Sequence, residues 1–345
     1  GHKMNDNQNF ERIIKKEKRK KLLITAVISS IVTVTIGFVA VMATTIILGK
    51  QMDVQAEKQI NQFNIADLIY SPNIRSTSQR YRLTAMTRAT LSSDRQKNID
   101  GYRVAYPEKK VILNLSGPES SSETSSNIYK NDTIKNINIM AANPKTGQKE
   151  PIFFNRAYPN WYGSQKNKDK LMSPITPTHE AKTLQALPNT LGEVAITFDK
   201  RYRYEDILKM MPHNIMINYY WLGFHSAALD TSSHVGCYVG LNAKDDGSGK
   251  LNDQFAGLPD KTKYNDYQGL KKALKSQINR KDVDHIDIAK DAEKQLAPSL
   301  KTAEFAGVIV TGRTENLAKL DQLPYTYASN VGITTPIMPY QSPIK

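Results

Sequence analysis

The chain has 345 residues, and its 47 lysines and arginines against 33 aspartates and glutamates give a formal net charge of +14. The single cysteine, Cys237, excludes an intramolecular disulfide and a zinc site built from several cysteines. Basic chains often bind nucleic acid, but the membrane segment described next makes anionic lipid or an anionic cell-wall polymer the expected neighbour. No direct contact with nucleic acid is expected, and a solvated basic face without a specific partner is the alternative.

The run from Leu22 to Leu48 contains no charged residue. A helix of that length reaches about 40 Å, which exceeds the ~30 Å hydrocarbon layer of a bilayer. We therefore predict a transmembrane helix over 22–48. The length of the run argues against a buried helix of a soluble domain. It also argues against a cleaved signal peptide, which the small residues around Val41-Met42-Ala43 would otherwise suggest.

Basic residues flank the run unequally. Six lysines and arginines lie between Lys15 and Lys21, whereas Lys50 is the only basic residue close behind the run. The positive-inside rule then predicts a single-pass protein of the cell membrane, with residues 1–21 as a short cytoplasmic stub and the C-terminal domain extracellular. Gly1-His2-Lys3 resembles a cloning remnant, so the fold argument starts at Met4.

Residues 49–140 are predicted to form a membrane-proximal extracytoplasmic region, helical first and β-rich afterwards. Good helix formers over 51–70 either continue the membrane helix or pack just beyond it, until Ser71-Pro72 stops them. The further predictions, in chain order, are a half-exposed strand over 80–92, a turn at Asp100-Gly101, a strand over 109–115, a polar loop over 119–127 and a strand over 133–140.

A linker is predicted over 141–178, and residues 179–345 are predicted to form a C-terminal α+β domain. The elements predicted there are a short helix over 180–187, a strand over 193–198, a helix over 204–211, a strand over 215–220, a helix over 267–278, and a strand, glycine turn and helix within 301–322, with Thr314 as the helix cap. The fold class is therefore α+β: a single N-terminal transmembrane helix followed by a large extracytoplasmic α/β-type region of two subdomains.

Two sequence runs carry a resemblance to a known family. HEAKTLQALPNTLGEVAITFDKRYRYEDILKM and the later GVIVTGRTENLAKL resemble the C-terminal domain of the sigma factor regulator family, and the basic patch, the span and Ser71-Pro72-Asn73-Ile74 are similar to its N-terminal region. The matching C-terminal residues are Leu184, Leu187-Pro188, Glu193-Val194, Phe198-Asp199-Lys200, Tyr202, Tyr204 and Val310-Thr311-Gly312. The resemblance implies a single-span bacterial membrane protein that acts as an anti-sigma factor for an extracytoplasmic-function sigma factor. It carries no catalytic residue.

Contact with a sigma factor would fall to the short segment before the span. That segment has no histidine–cysteine zinc pattern, but Phe10, Ile13 and Ile14 form an apolar stripe at helical spacing. Such a stripe can dock into a groove on a partner, either the sigma factor or a small membrane co-regulator. The alternative is that the stripe lies on the membrane surface beside the lysines.

An enzyme is not predicted, and no cofactor or metal is expected. His225, Asp230 and His234 lie close together in sequence but have neither helical histidine spacing nor an adjacent glutamate. Cys237 has apolar neighbours and is interpreted as a buried structural thiol. The alternative to a sigma-factor regulator is a structural or ligand-binding protein of the cell envelope without a transcriptional role.

Overall fold

A computed structural model describes residues 3–122, 127–131, 138–154, 161–162, 173–174, 177–226, 238–251, 266–280 and 286–345. It combines helices and sheets, so the predicted α+β class is confirmed. The α-helices among the described residues are α1 (Lys3–Tyr70), α2 (Tyr204–Met210), α3 (Asp266–Asn279), α4 (Ile286–Gln295) and α5 (Thr314–Leu317). In the same part of the chain, 3-10 helices cover Ala181–Ala186 and Leu320–Gln322.

Helix α1 is continuous for 68 residues and ends directly before Ser71-Pro72, as the sequence predicts. Its apolar part is long enough to cross a membrane, and the chain buries none of it. Six hydroxyls inside this part bond back to the helix; that of Thr25, for example, donates to the carbonyl of Lys21 at 2.9 Å. The backbone and these hydroxyls are therefore satisfied without water, as a span requires.

The first sheet packs on the part of α1 that follows the span. It contains β1 (Ile74–Ala85), β2 (Arg88–Ile99), β3 (Tyr102–Asn114) and β4 (Gly117–Ser122), and each strand is antiparallel to the next. Its core side brings Leu91 and Leu113 against Met52 and Phe63 of α1. The helix therefore forms a second layer against this sheet.

Two predictions in this region need correction. The single strand predicted over 80–92 is wrong, because the chain reverses at Met86-Thr87 and forms a hairpin there. The loop predicted over 119–127 is wrong where the structure describes it, because residues up to Ser122 belong to β4 and pair with β3. The predicted turn at Asp100-Gly101 is confirmed, with positive φ at both residues.

Short strands follow the first sheet. They are β5 (Asn127–Asn131), β6 (Asn138–Ala142) and β7 (Lys149–Glu150) in one sheet, and β8 (Trp161–Tyr162) and β9 (Ser173–Pro174) in another. Within the segment 141–178, Ile152, Phe153 and Phe154 are buried, and Phe153 stacks on Trp221 with ring centroids 4.5 Å apart. The division into domains at this segment stays a prediction.

The C-terminal sheet contains β10 (Thr190–Arg203), β11 (Met216–Trp221), β12 (Gly240–Asn242), β13 (Glu304–Arg313) and β14 (Thr326–Pro336), in the order β12-β11-β13-β10-β14. All described neighbours are antiparallel.

The predicted strands and helices of this region are found, whereas α4, β12 and β14 were not predicted. Gly312 lies inside β13 and not in a turn, and the helix cap is Arg313. Thr314 donates its hydroxyl to the carbonyl of Leu187 instead of capping α5.

Candidate signalling junction

The C-terminal end of α1 packs into the core of the C-terminal region. Ile65 and Ile69 are buried in the same core as Leu274 of α3. The hydroxyl of Tyr70 donates to the side-chain oxygen of Gln277, also on α3, at 2.9 Å. Because this core joins α1 to the helices and sheet of residues 184–331, the helix that carries the span is a structural part of the domain.

Directly after α1, the chain bends at a corner. Hydrogen bonds from the C-terminal sheet fix this corner. Asn73 has a φ of 55°, a left-handed conformation that asparagine tolerates better than most residues. Its backbone N–H donates to Oδ1 of Asn242 at 2.9 Å, and Nδ2 of Asn242 donates to the carbonyl of Ser71 at the same distance. Nδ2 of Asn73 donates to Glu193 of β10 at 2.9 Å. The corner is therefore fixed to two strands of the C-terminal sheet.

A second path of hydrogen bonds connects this corner to the turn between β2 and β3. Nδ2 of Asn218 donates to Oδ1 of Asn73 at 3.1 Å, and the Thr311 hydroxyl donates to Oδ1 of Asn218 at 2.7 Å. The backbone N–H of Asp100 in turn donates to the Thr311 hydroxyl at 2.9 Å. All four side chains are buried. The first sheet and the C-terminal sheet therefore share one buried polar network.

A buried ion pair lies at the centre of this junction. Nζ of Lys97 on β2 lies 2.9 and 3.1 Å from the two carboxylate oxygens of Glu193, and both side chains are fully buried. Glu150 adds a third oxygen at 3.5 Å. Burial alone would lower the pKa of Lys97, but the two carboxylates outweigh it and raise the pKa above its ordinary value. The lysine is therefore held in its charged form.

Charged residues close the outer rim of the junction. Arg103 and Arg75 lie 2.9 and 3.6 Å from Asp245, and Nδ2 of Asn98 donates to the same carboxylate at 3.0 Å. Burial alone would raise the pKa of Asp245, yet these three neighbours lower it below its ordinary value. The contacts tie β1, β2 and β3 to the loop after β12.

We call this set of contacts the signalling junction. It consists of Asn73, Lys97, Asn98, Asp100, Glu193, Asn218, Asn242, Asp245 and Thr311, with Arg75 and Arg103 on its rim. Each described hydrogen bond in it either joins the chain that follows the span to the C-terminal sheet or holds in place a residue that makes such a bond. The junction therefore ties the first sheet and the end of α1 to the C-terminal sheet.

The residues proposed from sequence for partner binding lie elsewhere. Phe10, Ile13 and Ile14 are exposed on the first turns of α1, on one side of the helix and far from the junction, and their role stays a prediction. Asp230, His234 and Cys237 lie outside the described residues. His225 exchanges backbone hydrogen bonds with the Gln295 side chain. Among the described residues, no group of three or more histidine, cysteine or acidic side chains is arranged to hold a metal ion.

Sequence reasoning did not identify the junction, although part of the signal was present. Asn73, Glu193 and Thr311 all belong to the short motifs that resemble the sigma factor regulator family, and the structure brings the three together. Lys97 follows Leu91, Ser93 and Arg95 on the inward-facing positions of β2, so its burial can be deduced from strand alternation. Its partner lies 96 positions later in the chain, and no local pattern connects the two.

Comparison with protein families gives two matches. Residues 11–104 match the sigma factor regulator N-terminal domain, and residues 184–333 match the sigma factor regulator C-terminal domain. Comparisons with curated proteins and with solved structures gave no significant match. The two matched regions contain all the junction residues named above and together cover most of the chain. This single-pass membrane protein therefore belongs to the sigma factor regulator family and has a role in sigma-factor regulation.

Proposed function

We propose that the protein is an anti-sigma regulator of an extracytoplasmic-function sigma factor. In this proposal the segment before the span is cytoplasmic and the region after it lies outside the cell, where it senses a signal or acts as a scaffold. The outer region controls the cytoplasmic segment through α1. Family membership supports the sigma factor as partner, and the lysine cluster at 15–21 supports the orientation.

One observation carries the proposal: α1 is unbroken from Lys3 to Tyr70, and its outer end is part of the C-terminal core. A continuous helix transmits rotation and translation along its axis, whereas a flexible linker would absorb both. A ligand or a force that shifts the C-terminal sheet would therefore move Ile65 and Ile69, and with them the cytoplasmic end of the same helix.

The proposed partner contact is the stripe of Phe10, Ile13 and Ile14. Full burial of side chains of this kind stabilises a contact by roughly 1.5–3 kcal/mol each. Loss of two of them would weaken binding on the order of a thousandfold, because each 1.4 kcal/mol is a factor of ten. The contact is made either with the sigma factor itself or with a small membrane co-regulator that holds it.

The test replaces Phe10, Ile13 and Ile14 together by serine and measures a reporter driven by the cognate sigma factor. We expect the output to rise to the level of a gene deletion, while the lysines keep the chain inserted at normal abundance. A matched control changes Gln8 and Arg12, on the other side of the helix, to serine and should leave the output unchanged. Unchanged output from the triple variant at normal abundance would assign the stripe to the membrane surface and contradict the proposed contact.

A further inference from the structure

The hairpin of β1 and β2 extends toward the membrane along α1. Nε2 of Gln79 on β1 donates to Oδ1 of Asn64 on α1 at 2.8 Å. These two residues therefore lie at the same height along the axis of α1. From there β1 advances about 3.3 Å per residue, so Met86 lies about 23 Å farther along. Helix α1 rises about 1.5 Å per residue, and Leu48 lies about 24 Å from Asn64 in the same direction. The hairpin tip therefore reaches the level at which the uncharged run ends.

Contacts on the neighbouring strand give the same direction. Nζ of Lys109 on β3 lies 4.9 Å from the centre of the Phe63 ring, and farther toward the span Nε2 of Gln55 donates to the carbonyl of Leu115 at 3.2 Å. Leu48 and Gly49 are half-buried, whereas residues 8–47 of α1 are exposed. The folded sheet thus covers α1 up to the edge of the span.

The side chains at this tip are of the kind that suits a lipid surface. Leu83 and Met86 are about half exposed, at 49% and 48%, although the rest of the hairpin exposes polar residues. Leu83 pairs with the buried Ala89, so it lies on the face of the sheet that is turned toward α1. Its apolar surface therefore faces α1 near the tip of the hairpin.

Cations surround the apolar tip. Arg82 and Arg88 are exposed on the two strands, and Lys50 is exposed on α1 just beyond the span. Arg88 also pairs with Glu119 at 3.1 Å, with both side chains about half exposed. Long basic side chains next to apolar ones place their charge among the headgroups while their stems contact the acyl boundary.

We propose that the hairpin tip, consisting of Arg82, Leu83, Met86 and Arg88, binds the bilayer surface on the side on which the span ends, with a preference for anionic headgroups. A lipid surface is the occupant because the tip is level with the end of the span and exposes apolar side chains between basic ones. This contact fixes the outer region on the membrane, so that a movement of the C-terminal domain acts on α1 against a fixed support. The inference requires the span but neither its orientation nor the sigma factor.

The test uses the full chain in nanodiscs, with Cys237 changed to serine and one cysteine introduced for an environment-sensitive fluorophore. The probe position is Met86→Cys, and the matched control is Ser78→Cys, on the same strand but about 26 Å farther from the membrane. We expect brominated phospholipid to quench the fluorophore at 86 and not at 78. Equal exposure to water at both positions would overturn the proposal. Protection from an aqueous quencher without quenching by brominated lipid would also overturn it, because it would assign the tip to a protein contact.

The role of the arginines is tested separately. Nanodiscs with about one-third phosphatidylglycerol are compared with purely zwitterionic ones, using the probe at 86. We expect deeper quenching with the anionic lipid, and we expect Arg82→Gln combined with Arg88→Gln to remove that difference. Quenching that is independent of lipid charge in the unaltered tip would overturn the preference for anionic headgroups.

Discussion

Lys97 and Glu193 show what the junction requires of single residues. A buried ion pair gains little net stability over apolar residues of the same size, because both charges lose their hydration. It is costly, however, to remove only one partner, since the remaining charge stays buried without compensation. Asn73 donates to the same carboxylate, so the pair also orients the corner after α1.

We predict that Lys97→Met lowers stability by roughly 3–5 kcal/mol, the usual cost of an uncompensated buried charge. The measurement is the apparent melting temperature of the full chain in detergent. Lys58→Met, at an exposed lysine of α1, is the matched control and should stay within about 0.5 kcal/mol of wild type. A Lys97→Met variant as stable as the control would show that the junction does not hold the two sheets together.

Asp100 gives the junction a pH dependence. Burial raises its pKa to about 6, although Lys345, Arg313 and the backbone N–H groups of the last residues favour the charged form. One of its carboxylate oxygens has no hydrogen-bond partner among the described residues. Since the pKa is higher in the folded than in the unfolded state, the folded state binds the proton first, and the contribution of Asp100 to stability falls as pH rises from about 4 to about 6.

Asp100→Asn removes this titration and keeps an oxygen that can accept from Lys345. Asparagine also tolerates the positive φ at this position. We expect the melting temperature of the variant to exceed that of wild type at pH 7.5. The difference should disappear toward pH 4.5. The measurement is the difference between the two melting temperatures across that range. A difference independent of pH would show that Asp100 does not titrate there.

At the scale of elements, α1 contains three parts along one helix: the stripe, the span and a layer that packs against the first sheet and the C-terminal core. Its end could be predicted because Ser71-Pro72 is a local signal. The turn at Met86-Thr87 could not, because it contains none of the usual turn residues. Strand β4 was missed because its serines pair through their backbone at the position of an edge strand, where little apolar surface is required. The junction combines residues of distant elements, and only the fold brings them together.

We predict that Ile69→Ala, at a fully buried position near the end of α1, costs about 2–5 kcal/mol through lost burial and a cavity. Val54→Ala is the matched control, since Val54 lies on the same helix and is 49% exposed. Scanning fluorimetry of the full chain compares the two variants. Equal melting temperatures would mean that α1 is not part of the C-terminal core.

At the scale of the whole molecule, the protein contains a membrane helix, a small sheet packed on the part of this helix that follows the span, and a larger sheet whose core includes the end of the helix. The proposed orientation places the sheets outside the cell.

We predict that Ser120→Cys, in a Cys237→Ser background, reacts with a membrane-impermeant maleimide on intact cells. Gln8→Cys, the control, should react only after lysis. The reverse pattern would invert the topology and with it the direction of signalling.

The central claim is that the outer region controls the sigma factor through a continuous helix. Insertion of one to four alanines after Gly37, inside the span, tests it most directly, because each residue rotates the cytoplasmic segment by about 100° against the outer region. The readout is the reporter of the cognate sigma factor, with membrane abundance measured alongside. We predict that the output departs from wild type with one or two alanines and returns toward it with four, the number closest to a whole turn. Wild-type output from all four variants at normal abundance would contradict the claim.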